Sequence, residues 1–407
     1  MHKVVIIGGG ASGLFAGVSA INTNKSVTLI EKNEKLGKKI YITGKGRCNL
    51  TNNVLVNDFM QNVVSNPKFL YSALNNFTPQ DTISFFESNK MPTKTERGNR
   101  VFPVSEKASD VTKTLENYLR KNGAEILLNT CVKDVLVENN KVIGVLLING
   151  NKIFCDSVIV ATGGISYPLT GSDGDGFKFA KKLGHSIIEI KPALCSFELK
   201  EDFYKNLQGL ALKNVKLTVK NGNKVIFSQL GEMLFTHFGV SGPLILTASS
   251  LVNRLNLENL DFEIDLKPAL NKEILESRLL NELSVNSNSN FFNVARGYVP
   301  KSFVEILLKR SQINGNKKCC VVTQENRNSF INTLKSFKFK VSNIRDVREA
   351  VVTAGGVNVK EINPKTMESK IINGLYFCGE VIDIDAFTGG FNLQIAFSTG
   401  YTAGLNC

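Results

Sequence analysis

The clearest chemical signal is a glycine pattern near the start of the chain. Gly8, Gly10 and Gly13 have the G-x-G-x-x-G spacing, and Glu31 ends the next apolar run. In such a turn the first glycine permits the bend, the second lets the backbone approach a pyrophosphate, and the third allows close helix packing. Free amides and the partial positive charge of a helix N-terminus suit phosphate oxygens. The pattern predicts a dinucleotide site comprising Gly8, Gly10, Ala11, Ser12, Gly13, Glu31 and Lys32.

Further sequence features narrow the choice among dinucleotide cofactors. A carboxylate at position 31 accepts hydrogen bonds from a ribose diol and repels a 2′-phosphate, which favours FAD or NAD. Near the C-terminus, Gly379 and Glu380 resemble the segment with which flavoproteins bind the ribityl chain, and Asp383 is the alternative ligand because aspartate is commoner there. Residues 390–393 begin a helix whose dipole suits negative charge on a reduced flavin. FAD is favoured over NAD because a β-meander and a terminal strand and helix return to the nucleotide fold, whereas NAD-type dehydrogenases place a catalytic domain after it. The chain also has no second G-x-G-x-x-G.

A sheet must position these residues. Residues 3–7 and 26–30 are apolar and rich in β-branched side chains, with a helix-like segment between them. Further along, Ser105 is a predicted N-cap of a helix that stops at Gly123, and residues 131–137, 142–148 and 152–160 are a predicted β-meander. A final strand and helix return to this first unit.

Changes in hydrophobic periodicity along the chain predict two domains. We expect a discontinuous nucleotide-binding domain at 1–190 and 345–407, interrupted by an insert at 191–344. The insert alternates like β-strands over 191–266 and has helical spacing over about 267–340, where it forms a helical subdomain. We expect the insert to act as a lid over the ligand. The fold class is α/β with an inserted β-rich domain.

Composition excludes several classes. The chain has 407 residues, of which 43% are hydrophobic and 21% charged, so disordered, collagen-like and membrane proteins are not expected. The eight cysteines form no C-x-x-C pair, and the start leaves no room for a signal peptide, which predicts a cytoplasmic protein without disulfides or metal. The net charge of +13 comes mostly from scattered lysines, which favours a solubilising surface over nucleic acid. No oligomeric state is predicted.

Longer motifs resemble one family. The strings at 36–39, 44–52, 162–168, 234–243 and 355–357 resemble the bacterial BaiN-like flavoproteins over nearly the whole chain. The resemblance implies a glutathione-reductase-type, Rossmann-like FAD domain with an inserted barrel-like domain, and non-covalent FAD. The family includes a reductase assigned to bile-acid dehydroxylation and members labelled aminoacetone oxidase.

The resemblance also implies roles for single residues. It places Arg47, Cys48 and Asn49 beside the flavin, with Lys39 and Gly46 in the same motifs. It places the backbone of Val132 at the adenine and Ala161, Thr162, Gly163 and Gly164 under the pyrophosphate. Asp383, Gly390, Phe391, Asn392 and Leu393 would face the ribityl and pyrimidine ends. A packed thiol is favoured for Cys48 over redox chemistry, because no resolving cysteine is nearby.

Candidate catalytic residues are fewer. His237 and Tyr167 could donate a proton, although a satisfied structural histidine and a core tyrosine are the alternatives. Arg97 and Arg100 could clamp an anionic substrate, or only pair with surface acids. We predict an FAD-dependent oxidoreductase that exchanges hydride with a small molecule held between the domains, with NADH or NADPH as transient donor. The alternatives are an amine oxidase that releases hydrogen peroxide and a basic flavoprotein that binds or modifies RNA.

Overall fold

The computed structural model describes residues 1–407, which divide into two compact units, Met1–Ala193 with Asp346–Cys407 and Leu194–Arg345. The helices α1 to α13 span Ala11–Asn22, Lys38–Ile42, Val56–Met60, Tyr71–Asn76, Pro79–Ser88, Ala108–Lys121, Asp175–Lys182, Pro243–Val252, Lys272–Val285, Phe291–Ala295, Lys301–Arg310, Gln324–Lys335 and Phe391–Asn406. The strands β1 to β20 span Lys3–Ile7, Ser26–Ile30, Thr51–Asn52, Thr93–Glu96, Arg100–Pro103, Glu125–Leu127, Val132–Glu138, Lys141–Leu147, Lys152–Phe154, Ser157–Val160, Ile187–Ala193, Phe197–Leu199, Ala211–Asn221, Lys224–Phe235, Gly239–Ser241, Leu260–Asp265, Phe337–Phe339, Val341–Ile344, Val352–Val357 and Leu375–Phe377. None of the helices is both long and apolar enough to cross a lipid bilayer.

The first unit is built on a parallel sheet with strand order β20-β10-β1-β2-β6. The central strands are buried apolar runs, as expected where helices cover both faces of a parallel sheet. Because parallel strands share one carboxyl edge, the turns that follow β1, β2, β10 and β20 lie at that edge. The Rossmann-type fold predicted from the sequence is therefore confirmed.

The glycine turn is held in place by helix contacts. Helices α1 and α13 pack so closely that a Cβ at Gly400 would overlap the carbonyl oxygen of Ser12, and one at Gly404 would overlap that of Ala16. Phe15 of α1 and Phe397 of α13 lie 4.5 Å apart between ring centroids. The two helices that begin at the carboxyl edge are thus packed backbone to backbone.

The second unit contains an antiparallel sheet with strand order β17-β16-β13-β14-β15-β12-β18. Its edge strands are consecutive in the chain, since β17 ends at Phe339 and β18 begins at Val341. Two residue steps span at most about 7.6 Å, whereas seven flat strands would separate the edges by about 29 Å. The sheet must therefore curl into a barrel-like form, with α9 to α12 completing the same core.

The sequence misplaced three elements. Helix α6 begins at Ala108, after Lys107, so Ser105 is not its N-cap, although Gly123 does follow the helix with a φ of 86°. The predicted third meander strand is two strands, because β9 pairs with β8 while β10 joins the parallel sheet. The apolar helix α8 lies inside the segment expected to be β-rich.

Candidate functional site

The glycine turn forms an open cradle at the carboxyl end of β1. A Cβ at Gly8 would lie 2.6 Å from the Ala161 carbonyl oxygen, and one at Gly13 would overlap the Gly8 carbonyl oxygen, so both glycines serve internal packing. At Gly10 a Cβ would meet no atom within 4 Å, and its φ of −82° is open to any residue. Neither backbone strain nor packing explains glycine at position 10. This is the position at which the glycine fingerprint predicts close approach of a pyrophosphate.

Two helices present unsatisfied amides at this edge. No side chain caps the N-terminus of α1, where Leu14 is the first residue to bond back, to Gly10. Likewise α13 has no side-chain cap, and its first such bond joins the Gln394 amide to the Gly390 carbonyl. The amides of Ala11, Ser12 and Gly13 and of Phe391, Asn392 and Leu393 therefore have no partner within their helices. Such amides, with the helix dipole, favour anionic oxygens.

Glu31 is buried beside the cradle. Its carboxylate accepts hydrogen bonds from the Gly9 amide at 2.8 Å and from the amide and side chain of Asn33 at 2.8 and 2.6 Å. A carboxylate has about four acceptor sites, so Glu31 can still accept from a diol. The Lys32 side chain, predicted at the dinucleotide site, forms ion pairs with Asp173 at 2.5 Å and Asp175 at 2.9 Å. Burial opposes the Lys32 charge, but these two carboxylates raise the pKa of its ammonium overall.

Several buried oxygen atoms near the two helix starts have no hydrogen-bond partner. They are Asn49 Oδ1, Thr51 Oγ1, Asn52 Oδ1 and Thr162 Oγ1. Asn52 donates to the carbonyl oxygens of Gly98 and Gly389, both at 3.0 Å, and Gly390 packs on Thr51, so β3 adjoins the start of α13. Buried polar atoms are normally satisfied, and these are the acceptors expected where a polar ligand binds.

Glu380 is the centre of a buried network and is not free. Lys39 donates to its Oε2 at 2.7 Å, while the Ser166 hydroxyl and the Thr353 amide donate to its Oε1 at 2.9 and 2.7 Å. Burial alone would raise the pKa of Glu380, but the Lys39 charge and the Thr353 hydrogen bonds hold that pKa below its ordinary value. Lys39 and Glu380 therefore neutralise each other, and they tie α2 to β19 and to the turn after β20.

Asp383 is the second predicted acid at this edge. Its side chain is buried and accepts a hydrogen bond from the Asn66 side chain at 2.9 Å. Gly379 meets α1, because a Cβ there would overlap the Ser12 hydroxyl. Asn392 uses its side chain to hold Ala386 through two bonds of 2.9 and 2.7 Å, so only its backbone amide faces the edge.

The loop with Gly46, Arg47 and Cys48 has an unusual backbone. Gly46 and Cys48 have positive φ angles, 85° and 59°. Arg47 pairs with Glu96 and, at 3.1 Å, with Glu106, and its guanidinium lies 4.2 Å from the centre of the Phe102 ring. Burial raises the pKa of the Cys48 thiol to about 12, although a hydrogen bond with Thr43 opposes this. Cys48 is a packed, protonated thiol, as favoured from the sequence.

The pyrophosphate and adenine candidates lie at the ends of β10 and β7. Ala161 is buried against the glycine turn, Gly163 has a φ of 74°, and Gly164 packs on Thr353. Val132 is buried at the start of β7. Beside it opens a cavity of about 310 Å³, whose lining residues include Cys131, Val132, Asp134, Asp175, Lys178 and Lys182.

The candidate catalytic residues do not match their structural alternatives. Tyr167 is 37% exposed with a φ of 51°, so it is not a core tyrosine. His237 is exposed in the second unit and makes no hydrogen bond, so it is not a satisfied structural histidine; its ring meets the edge of Phe238. Arg97 and Arg100 lie exposed at the tip of the β4–β5 hairpin, and neither pairs with an acid. Surface ion pairing is therefore wrong for these arginines.

The third histidine also differs from expectation. His185 looked peripheral from the sequence but is buried, with Nε2 2.9 Å from the Ser369 hydroxyl and Nδ1 3.3 Å from a Glu361 oxygen. Sequence reasoning also missed Thr51, Asn52, Ser166 and Thr353. The first three stand inside motif strings that the sequence analysis quoted, whereas Thr353 carried no signal because its partners are distant in the chain.

The residues present fit the ADP half of FAD. An open glycine cradle, a buried ribose-type carboxylate, unpaired buried oxygens and two uncapped helix starts meet at one sheet edge. These features define a Rossmann-type flavoprotein. The chain belongs to the family described as HI0933-like protein Rossmann domain, whose sequence profile matches residues 2–406.

Named relatives span the whole chain. One is the 3-dehydro-bile acid delta(4,6)-reductase of Clostridium scindens, 30% identical over 99% of this chain and 98% of the relative. Another is the ribosomal RNA dihydrouridine synthase of Haemophilus influenzae, 32% identical over 99% of this chain and 97% of the relative. Among solved structures, the 3-ketosteroid delta1-dehydrogenase of Sterolibacterium denitrificans covers 99% of each chain at a TM-score of 0.50 and 12% identity, which shows a shared fold.

Proposed function

We propose that the protein is an FAD-dependent reductase that saturates a carbon–carbon double bond conjugated to a carbonyl group. The observation that carries the proposal is the cradle at Gly10 between two uncapped helix starts. The relatives' names support the reaction type, because a delta(4,6)-reductase and a dihydrouridine synthase both reduce such a bond in a ring. The proposal uses residues 1–190 and 345–407 as the cofactor domain and places the reaction in the cytoplasm.

The chain's own residues have separate tasks in this proposal. The α1 amides would hold the pyrophosphate, and Glu31 would accept hydrogen bonds from the ribose. The α13 amides would stabilise negative charge at the pyrimidine end. Bound FAD would supply hydride exchange at N5. NADH or NADPH is the proposed donor and visits the site without a nucleotide-binding fold of its own.

Reduction of the double bond also requires a proton. Tyr167 is the proposed donor within the first unit, because it is exposed and follows Ser166, whose hydroxyl belongs to the Lys39–Glu380 network. His237 is the second proposed donor, since its imidazole is exposed and makes no hydrogen bond. Tyr167→Phe and His237→Gln each remove one proposed proton donor, and neither residue is among the proposed cofactor-binding residues.

A second candidate substrate is RNA. Two full-length relatives carry the name ribosomal RNA dihydrouridine synthase, from Haemophilus influenzae and Escherichia coli. The net charge of +13 suits a polyanion. On this candidate the reduced bond would belong to a uracil ring, and the chemistry required of the flavin would not change.

The proposal is tested by anaerobic reoxidation. Protein reduced with NADH or NADPH is mixed with a 3-oxo-Δ4,6-steroid or with bacterial ribosomal RNA, and return of the oxidised flavin spectrum is followed. Gain of two hydrogens in the steroid, or in a uridine found by mass spectrometry, supports the proposal. Peroxide production with amines, without reduction by either nucleotide, would instead establish the oxidase alternative.

A further inference from the structure

The positive charge is concentrated in one segment. Residues 291–345 contain eleven lysines and arginines but only two acids, Glu305 and Glu325, so this segment carries +9 of the net charge of +13. This count corrects the expectation that most of the excess comes from lysines scattered along the chain. Most of the segment forms α10, α11 and α12 of the second unit. The excess therefore belongs to one part of one unit.

The structure places eight of these eleven cations in two groups. Of the other three, Lys317 and Arg327 donate hydrogen bonds inside the unit, and Lys338 is exposed on β17. Four pair with acids of the same unit that lie outside the segment, at distances from 2.6 to 3.3 Å. These pairs are Arg310 with Glu201, Lys335 with Asp265, Lys340 with Asp261, and Arg345 with Glu198. Their charges are compensated within the fold, so they contribute little to the external field.

The second group is exposed and makes no ion pair, although exposed Glu305 lies one helical turn from both Lys301 and Lys309. Arg296, Lys301, Lys309 and Lys318, here called the α10–α11 basic cluster, make no ion pair and no side-chain hydrogen bond, and all four are exposed. The backbone of Lys318 forms an antiparallel β-bridge with Asn290, which directly precedes α10, and Arg296 directly follows that helix. Lys301 begins α11 and Lys309 lies about 12 Å further along it. Neither helix has an acid in its first turn.

We propose that the α10–α11 basic cluster is an RNA-docking surface that contacts phosphates. Four separate, solvated cations, two on α11, one directly after α10 and one in the bridge before α10, match an extended array of phosphates better than a single small anion. Lysine dominates the cluster, and as a compact charge it neutralises phosphates without reading sequence. This inference rests on the RNA candidate of the proposed function, and it assigns docking to the insert and chemistry to the FAD domain.

The test compares two variants of equal net charge. The cluster variant is Arg296→Gln, Lys301→Gln, Lys309→Gln and Lys318→Gln. The control removes four exposed lysines of the other unit that make no ion pair, through Lys107→Gln, Lys113→Gln, Lys121→Gln and Lys152→Gln. Binding of bacterial ribosomal RNA is measured from 50 to 300 mM KCl. We expect the cluster variant to bind at least about 10-fold more weakly at 100 mM, with a salt slope lower by about 2 to 3, and the control to change less than about 2-fold.

The experiment distinguishes failure of the docking surface from failure of the proposed function. Equal losses in both variants, no loss in either, or cluster-dependent binding of anionic vesicles but not RNA would each overturn the docking surface. Flavin content and steroid reduction are measured in the same preparations, and we expect both to match wild type. Loss of RNA affinity in the cluster variant alone supports the docking surface even if wild-type protein reduces neither substrate, a result that would defeat only the proposed function.

Discussion

At Gly10 neither packing nor backbone strain requires glycine, and the role proposed for this position is close approach of the cofactor pyrophosphate. Its backbone angles suit any residue, and a side chain there meets no protein atom. Glycine at positions 8 and 13 is instead required by neighbouring carbonyl groups. The fingerprint predicted different roles for the three glycines, and the roles predicted for Gly8 and Gly13, a tight turn and close packing, match the carbonyl groups that lie against them.

Gly10→Val should therefore abolish FAD retention without unfolding the protein. We expect no flavin absorbance after purification. The free energy of unfolding of the flavin-free variant should lie within about 0.5 kcal/mol of that of the flavin-free wild type, the range of a surface substitution. Gly13→Ala is the contrasting variant and should destabilise the protein itself, because its Cβ overlaps Gly8. Normal flavin content in Gly10→Val would contradict the placement of the cofactor.

The Cys48 thiol should be unreactive toward alkylation and should take no part in the redox reaction. Its pKa of about 12 keeps the buried thiol protonated, so iodoacetamide at pH 8 should modify exposed Cys320 and leave Cys48 intact in the folded protein. Cys48→Ala should keep flavin and reduce substrate within about 3-fold of wild type, less than 1 kcal/mol in transition-state stabilisation. A large loss of turnover with flavin retained would show redox participation.

His185 should make stability depend on pH. Burial lowers its pKa below 6.5, and the nearby Glu361 carboxylate only partly opposes this. As pH falls below 6.5 the unfolded chain binds the proton first, so the stability that neutral His185 confers is complete above that pH and is lost below it.

The expected slope is at most about 1.4 kcal/mol per pH unit. Thermal midpoints at pH 7.5, 6.0 and 5.0 should decline less steeply in His185→Gln than in wild type. Identical slopes in wild type and His185→Gln would show that the buried imidazole is not the titrating group.

Among the elements, the pairing of α1 with α13 sets the site. Both helices begin at the carboxyl edge, and Gly400 and Gly404 let α13 lie directly on the backbone of α1. Periodicity predicted both helices. It could not predict their contact, since the two lie at opposite ends of the chain.

Gly400→Ala should disturb both stability and cofactor binding. The added methyl overlaps the Ser12 carbonyl oxygen, and forcing the helices apart should cost about 1 to 3 kcal/mol and weaken FAD binding. Leu405→Ala, at an exposed position of the same helix, is the control and should change stability by less than about 0.5 kcal/mol. Unfolding in urea, with and without added FAD, measures both effects.

At the scale of the whole molecule, sequence patterns predicted more of the nucleotide-binding sheet than of the insert. Buried runs such as β1 and β10 have a single interpretation once the glycine turn lies between strand and helix. The buried network of Lys39, Ser166, Thr353 and Glu380 was not predictable, because its four members meet only after the sheet and the turn after β20 are assembled. Charge pairing in the insert is invisible in sequence for the same reason.

The central claim is that this chain binds FAD and uses it as a reductase. The direct measurement is a visible absorption spectrum of the purified protein, recorded anaerobically before and after NADH and then NADPH. We predict a two-banded oxidised-flavin spectrum that bleaches with at least one of the two nucleotides. A colourless protein that cannot be reconstituted with FAD, or a flavin that neither nucleotide reduces, would contradict the account.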